Sequence, residues 1–269
     1  MLTLFIENCR YISRSRMVYL ILLFSFLVHY SGMKFINNLN LSIDGAVSFL
    51  GPKESLYTAL VLQIFTALSI SSVYGIWIAP YAHRGDRSVL THMLPVSKLS
   101  FPLCYVFCCA LLLIINFAVM IATHSVVHGA LLVGSDTVSF GLLIKALLFE
   151  LLCLEVVMLA LSVSSMYFGQ VATVFIGGSF LFALQIFGTF ARLYKESVGT
   201  SLLSPRHIIV WLYYSLPPIG DFVFDLKSIV LAGPVPLNHL LLWIGWLVGL
   251  IVLFSLKIRF PLKNRSTEA

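Results

Sequence analysis

Three groups of side chains in this 269-residue chain are of types that could do chemistry. The first is a set of ionisable residues, Lys145, Glu150 and Glu155, inside one long apolar run at 142–166. On a helix rising 1.5 Å per residue, Glu150 lies about 12 Å into that run and Glu155 roughly 20 Å. Lys145 can snorkel from the end of the run, but neither glutamate reaches headgroups easily, so each needs a polar neighbour or a proton. The two glutamates are five residues apart, about 140° around the helix, and so cannot share one site. Partners must come from elsewhere, and His29, Gln63, Asn116, Gln170 and Gln185 are the polar groups at hand. Two readings stay open: a substrate or proton path, and an interhelical hydrogen bond from a protonated Glu that serves structure alone.

The second group is Cys104, Cys108 and Cys109. Cys104 and Cys108 are one helical turn apart, and soft thiolates suit Cu(I). No His or Met completes the set at ligand spacing, and small apolar cysteines are ordinary packing residues in membrane helices, so no metal is expected. The third group, His124 and His128, has i, i+4 spacing but neither a third ligand nor an H-E-x-x-H pattern, and reads as interfacial. No Ser/His/Asp or paired-carboxylate arrangement stands out, and the chain is not expected to be an enzyme. It also lacks G-x-x-x-x-G-K-[ST], so it has no phosphate-cradling loop of that kind for ATP.

The elements that must position these residues are membrane spans. The chain is 59% hydrophobic and 10% charged, with a mean hydropathy of +0.99. Soluble domains carry about a quarter charged residues, so disorder, a disulfide scaffold and an ordinary cytosolic enzyme all fit poorly. A spanning helix uses about 20 apolar residues plus its turns. The length therefore allows six crossings and no large soluble domain, and whatever energises the protein is expected on another polypeptide. Six runs qualify: 17–35, 56–79, 99–122, 142–166, 171–190 and 240–258. Pro80 closes the second, and Pro102 sits in the opening turn of the third, where its missing N–H costs little. Gly177, Gly178 and Gly188 in the fifth would let another helix approach closely, within the bundle or in a dimer.

Residues 1–16 are too short and too charged to span. Leu2, Phe5, Ile6, Cys9 and Ile12 share one helical face and Glu7, Arg10 and Arg14 another, which predicts an amphipathic interfacial helix. The first span ends at His29-Tyr30-Ser31-Gly32 without an A-x-A-like cleavage site, so it is expected to be retained. The formal charge of +6 comes from Lys and Arg that flank apolar runs, which topology explains better than nucleic acid. With both termini inside, the inner segments hold ten Lys and Arg against three acids, and the outer segments six against six. The positive-inside rule therefore selects cytoplasmic termini in an inner membrane. Cys9 lies in the N-terminal segment and the other four cysteines lie in apolar runs, none of them outside the cell, so no disulfide is expected.

The outer segment 191–239 contains an apolar stretch, 207–232, with Pro217 and Pro218 as helix breakers and Asp221, Asp225 and Lys227 as expensive groups at depth. It predicts a broken or re-entrant helical element at the outer interface rather than a seventh span. No repeat relates the two halves, which weakens an inverted-repeat carrier.

The most informative polar stretch is 80–98, between the second and third spans. A charged turn, His83-Arg84-Gly85-Asp86-Arg87, leads into a short helix whose apolar face is Val89, Leu90, Met93 and Leu94 and which Pro95 stops; Asp86 or Ser88 can cap it. This charged turn, the apolar run and the ending Leu94-Pro95-Val96-Ser97-Lys98 directly before a span resemble the corresponding loop of ABC type-2 exporter permeases. The N-terminal amphipathic helix, the six spans, the apolar outer segment with Leu216-Pro217-Pro218-Ile219-Gly220, and a last span running into Lys257-Ile258-Arg259-Phe260 are also similar to that family. Two positions depart from its pattern: His83, Arg84 and a single Asp86 stand where the family usually has glutamates, and Lys98 where arginine is commoner.

The resemblance implies an all-α, single permease domain over residues 1–269, with the interfacial helix at 1–16, a cytoplasmic coupling loop at 80–98 and the outer segment at 191–239. It further implies a permease dimer that docks a separate nucleotide-binding ATPase subunit. ATP and Mg would be bound by that partner, and no cofactor by this chain. Asp86, Arg87, Leu90, Leu94 and Pro95 would form the ATPase contact. Glu150 and Glu155, read from the residues themselves, are candidate translocation-path or interhelical polar groups, each at its own site. The cargo would be amphipathic or small. The alternatives are a proton-coupled secondary carrier using Glu150 and Glu155, and a membrane scaffold that transports nothing.

Overall fold

The computed structural model describes residues 2–42, 52–80, 97–128, 139–197, 215–231 and 233–259. Residues 81–96 of the 80–98 coupling loop, with Asp86, Arg87, Leu90, Leu94 and Pro95, lie outside these residues. Every regular element among them is helical. Helix α1 covers Leu2–Arg14, α2 Arg16–Ser42 and α3 Pro52–Val73, the last continuing as a π turn over Tyr74–Ile78. Helix α4 covers Ser100–His128, α5 Phe140–Phe168 and α6 Gln170–Ser197. A 3₁₀ turn at Ile219–Asp221 runs into the short helix α7, Phe222–Val230, and α8 closes the described chain at Leu237–Arg259.

Six of these helices are long and apolar enough to cross a membrane: 16–35, 56–78, 100–127, 140–168, 170–188 and 237–259. They coincide with the six runs of the sequence to within a few residues, because hydropathy and length are the same quantities that a bilayer about 30 Å thick selects. Helix α5 is the centre of the bundle. Helices α3, α4, α6, α7 and α8 all pack on it, and 67% of its most apolar window is buried, against 22% for α2, α6 and α8. The exposed faces of those outer helices are rows of Leu, Phe, Ile and Val, such as Leu20, Leu23 and Leu27 on α2 and Phe175 and Phe182 on α6. Lipid is the solvent that suits such faces.

Local chemistry sets the helix ends. Ser139 caps α5 by accepting the Leu142 N–H at 3.3 Å. Gly169, at φ +83°, is the single residue between α5 and α6, and its N–H bonds to the Ser165 carbonyl. This left-handed position suits a residue without Cβ. Eight residues either side of it, Gly177 of α6 lies so close to the Leu161 side chain that a Cβ there would stand 2.5 Å from it. Gly177 is thus used for packing within the chain, whereas Gly178 faces open space among the described residues.

Helix α1 lies across the end of the bundle where α3 finishes and α4 begins, here called the α1 end. Its inward stripe is Leu4, Phe5, Asn8, Cys9 and Ile12, with Glu7, Arg10 and Arg14 outside. The amphipathic reading placed Ile6 on the inner face, but Ile6 is exposed and the polar Asn8 lies on the stripe. Asn8 has a buried hydrogen-bond acceptor to meet there, and that bond sets the helix's rotation.

The described part of the outer segment dips into the bundle rather than lying on its rim. Helix α6 ends at Ser197 and α8 starts at Leu237, both at the far end, so the intervening chain leaves and returns on one side. Between them, the Ser215 carbonyl accepts from the Trp246 indole at 3.1 Å, and Trp246 is nine residues, about 13 Å, down α8. Ile219 packs against the cluster of Ile76, Val157 and Leu161. The Phe222 ring lies 5.8 Å from Phe149 and 6.4 Å from Trp243, centroid to centroid. Pro217 and Pro218 are buried at the break, and α7 then has nine residues, about 13 Å, too few to span.

Candidate functional site

Three polar assemblies stand out against the apolar bundle. The first lies at the α1 end, where the chain leaves α3 at Pro80 and re-enters α4 at Ser100. The Asn8 side-chain amide donates to the Tyr74 hydroxyl at 2.9 Å and lies 3.9 Å from the Cys104 sulfur. The neighbouring Cys9 sulfur is 3.8 Å from that of Cys108. One turn of α1 thereby holds both span ends that flank the 80–98 loop.

The end of α3 is gripped from the other side by α5. In the π turn the Ala79 N–H bonds to the Tyr74 carbonyl at 2.9 Å, so the α-helical ladder is interrupted there. The Ser165 hydroxyl donates to the Ile76 carbonyl within the turn at 2.9 Å. A Cβ on Gly75 would stand 2.5 Å from the Met158 carbonyl oxygen, so the glycine is what lets the two backbones meet. Tyr74 and Ile76 are buried. The segment leading into the loop is therefore a fixed corner clamped between α1 and α5.

The second assembly is a polar layer midway through the bundle. Ser25 hydrogen-bonds to the Asn116 side-chain oxygen. The Asn116 amide donates to the Thr66 hydroxyl at 3.1 Å, and Thr66 donates to the Gln63 carbonyl at 2.9 Å. With its proton used, the Thr66 oxygen accepts at its 3.3 Å contact with His29 Nε2. This network assigns the imidazole proton to Nε2 and leaves Nδ1 as an acceptor, which is buried with no hydrogen bond among the described residues. Helices α2, α3 and α4 are joined through these groups.

Helix α5 brings Glu150 to the same layer, ten residues and about 15 Å from its start. The Gln63 side chain lies beside both His29 and Glu150, yet its two amide atoms and both Glu150 oxygens close no hydrogen bond among the described residues. Glu150 is 2% exposed and Glu155 3%. Glu155 faces a different neighbour, the Cys109 thiol of α4, which also touches Ser71. Of the five polar groups named from sequence, His29, Gln63 and Asn116 are gathered here. Gln185 is on the exposed side of α6, and Gln170 opens that helix at the opposite end of α5 from Glu150.

A polar triad belonging to the re-entrant element had no counterpart in the sequence reading. His239 Nδ1 lies 2.8 Å from Asp225 Oδ2, and Nε2 lies 4.0 Å from Asp221 Oδ2, all three residues being buried. An imidazole between two carboxylates ties the first turn of α8 to the dipping segment. The signal was present, since aspartates in an apolar stretch require a partner, but the identity of that partner depends on the re-entrant path.

No group of three or more His, Cys, Asp or Glu among the described residues is arranged to hold a metal ion. Three loosely grouped thiols, Cys9, Cys104 and Cys108, come together at the α1 end instead. Comparison with known proteins found no matching family model, curated protein or solved structure.

Proposed function

We propose that the chain is the membrane-spanning permease subunit of an ATP-driven exporter of the ABC type-2 kind, working as a dimer with a separate nucleotide-binding ATPase. Both termini and the 80–98 loop would be cytoplasmic, where the ATPase is. The observation that carries this reading is the clamp at Asn8: the span ends either side of the loop are held to one interfacial helix. A force applied to the loop through Asp86, Arg87, Leu90 and Leu94 then reaches α3, α4 and α1 together, and through Ser165 and Gly75 the central α5. Packed helices that are tied in this way move as a rigid body, which is how nucleotide-driven closure of a partner becomes a swing of the spans.

A second reading has its own support in the buried carboxyls of Glu150 and Glu155, which form no hydrogen bond among the described residues. A proton-coupled carrier would use them as proton sites. The two readings separate on one experiment. Charge reversal at Asp86 and Arg87 together with Leu90→Ala abolishes co-purification with a P-loop ATPase in the exporter reading and leaves membrane insertion intact. Unchanged co-purification refutes the docking surface, and transport that follows a proton gradient without any such subunit favours the carrier.

A further inference from the structure

The thiol group at the α1 end has no part in this mechanism. Cys9 is half-buried on α1, Cys108 is fully buried on α4, and their sulfurs are 3.8 Å apart. All five cysteines are free. We propose that Cys9 and Cys108 form an oxidisable dithiol, which a hydroperoxide reaching the α1 end closes to a disulfide that fastens α1 to α4.

The pairing follows from placement. Among the described cysteines, Cys9 is the one that is only partly buried; the other four are buried. Cys104 shares a helix with Cys108 one turn away, where the backbone holds the two side chains in parallel and opposes a bridge. Cys109 turns the other way, against Ser71 and Glu155. Cys9 and Cys108 come from separate elements, so closing from 3.8 Å to a bond of about 2.05 Å takes side-chain rotation and a small slide of α1.

The chemistry balances with the hydroperoxide as the only oxidant. The Cys9 sulfur, as thiolate, attacks one peroxide oxygen; the S–O bond forms, the O–O bond breaks, and the departing oxygen leaves as water or an alcohol after taking a proton. Cys9 is then a sulfenic acid, two electrons more oxidised. The Cys108 sulfur attacks the Cys9 sulfur, the S–S bond forms, and the S–O bond breaks with hydroxide taking the Cys108 proton and leaving as water. A dithiol reductant reverses the step.

The test is thiol counting on the full chain purified in mild detergent, treated with hydrogen peroxide, then denatured, alkylated and weighed intact. The wild type should accept alkyl groups at three of its five cysteines, regain all five after dithiol reduction, and yield a Cys9–Cys108 linked peptide. Cys9→Ser is near-isosteric and should keep all four remaining thiols after the same treatment, whereas Cys108→Ser lacks the resolving sulfur and should lose one thiol, at Cys9, and yield no linked peptide. A wild type that keeps five thiols, a loss that reductant does not restore, or the same two-thiol loss in Cys9→Ser would each overturn the proposal.

Discussion

The side-chain amide of Asn8 donates a 2.9 Å hydrogen bond to the hydroxyl of Tyr74, joining α1 to the π turn that ends α3 across 66 positions of sequence. Tyr74 is almost fully buried, so its hydroxyl depends on that contact. Asn8→Ala and Tyr74→Phe should each lower stability by about 0.5–1.5 kcal/mol. Because both remove the same bond, the double variant should cost clearly less than the two single costs added together. Thermal unfolding of the four proteins in one detergent checks this, and additive losses would show that the bond contributes nothing. In the exporter reading both variants also weaken the response of transport to ATP while leaving ATPase docking unchanged.

Gly75→Ala should be among the more damaging small substitutions in the chain. Its new methyl would meet the Met158 carbonyl at 2.5 Å, backbone against backbone, with no flexible side chain to yield. Overpacking of this kind costs about 1–3 kcal/mol. Gly178→Ala is the matched control, since nothing lies within 4 Å of its added Cβ, and it should unfold at the wild-type temperature. A dimer lost in Gly178→Ala with the monomer fold intact would locate a second copy on that face of α6.

These two positions also mark how far the sequence could be read. The six spans were legible because apolar length is a local property, and the limits at Pro80 and Pro102 follow from proline's missing N–H. Depth along one helix was legible as well: Glu150 and Glu155 were placed beyond the reach of the headgroups by counting residues into their run. Rotation was not, because it is decided by which helices meet. That is why Gln185 stood among the candidate partners of Glu150 until α6 was seen to turn it outward, and why Ile6 was assigned the inner face that Asn8 shares. Asn8 within an apolar stripe was the available clue, but an acceptor 66 positions away could not be named from it. The π turn at Tyr74–Ile78 was equally hidden, since it exists through its contacts with Ser165 and Met158.

Glu150→Gln and Glu155→Gln separate the exporter from the carrier. Each replaces a buried carboxyl that makes no hydrogen bond among the described residues by a neutral group of the same shape. The variants should therefore be at least as stable as the wild type, as judged by thermal unfolding at neutral pH. ATP-driven transport should persist in both. Loss of transport with folding preserved would move the weight to the proton-coupled reading.

His239→Ala should loosen the re-entrant element. It leaves Asp225 and Asp221 buried without the imidazole that lies 2.8 and 4.0 Å from them. Leaving one side of a buried hydrogen bond without its partner costs about 1–3 kcal/mol. Amide exchange should rise over 219–231 well before it rises in α5. Uniform exchange across both segments would show that the triad does not fasten this element separately.

The central claim is that the 80–98 loop meets its driving partner on the cytoplasmic side, at the end of the bundle where α1 lies. Labelling of Ser88→Cys and Ser97→Cys with a membrane-impermeant thiol reagent, read on the peptides that contain them, tests it most directly. The account predicts label in inverted vesicles and none in intact cells. Label acquired from outside intact cells at either position would contradict it.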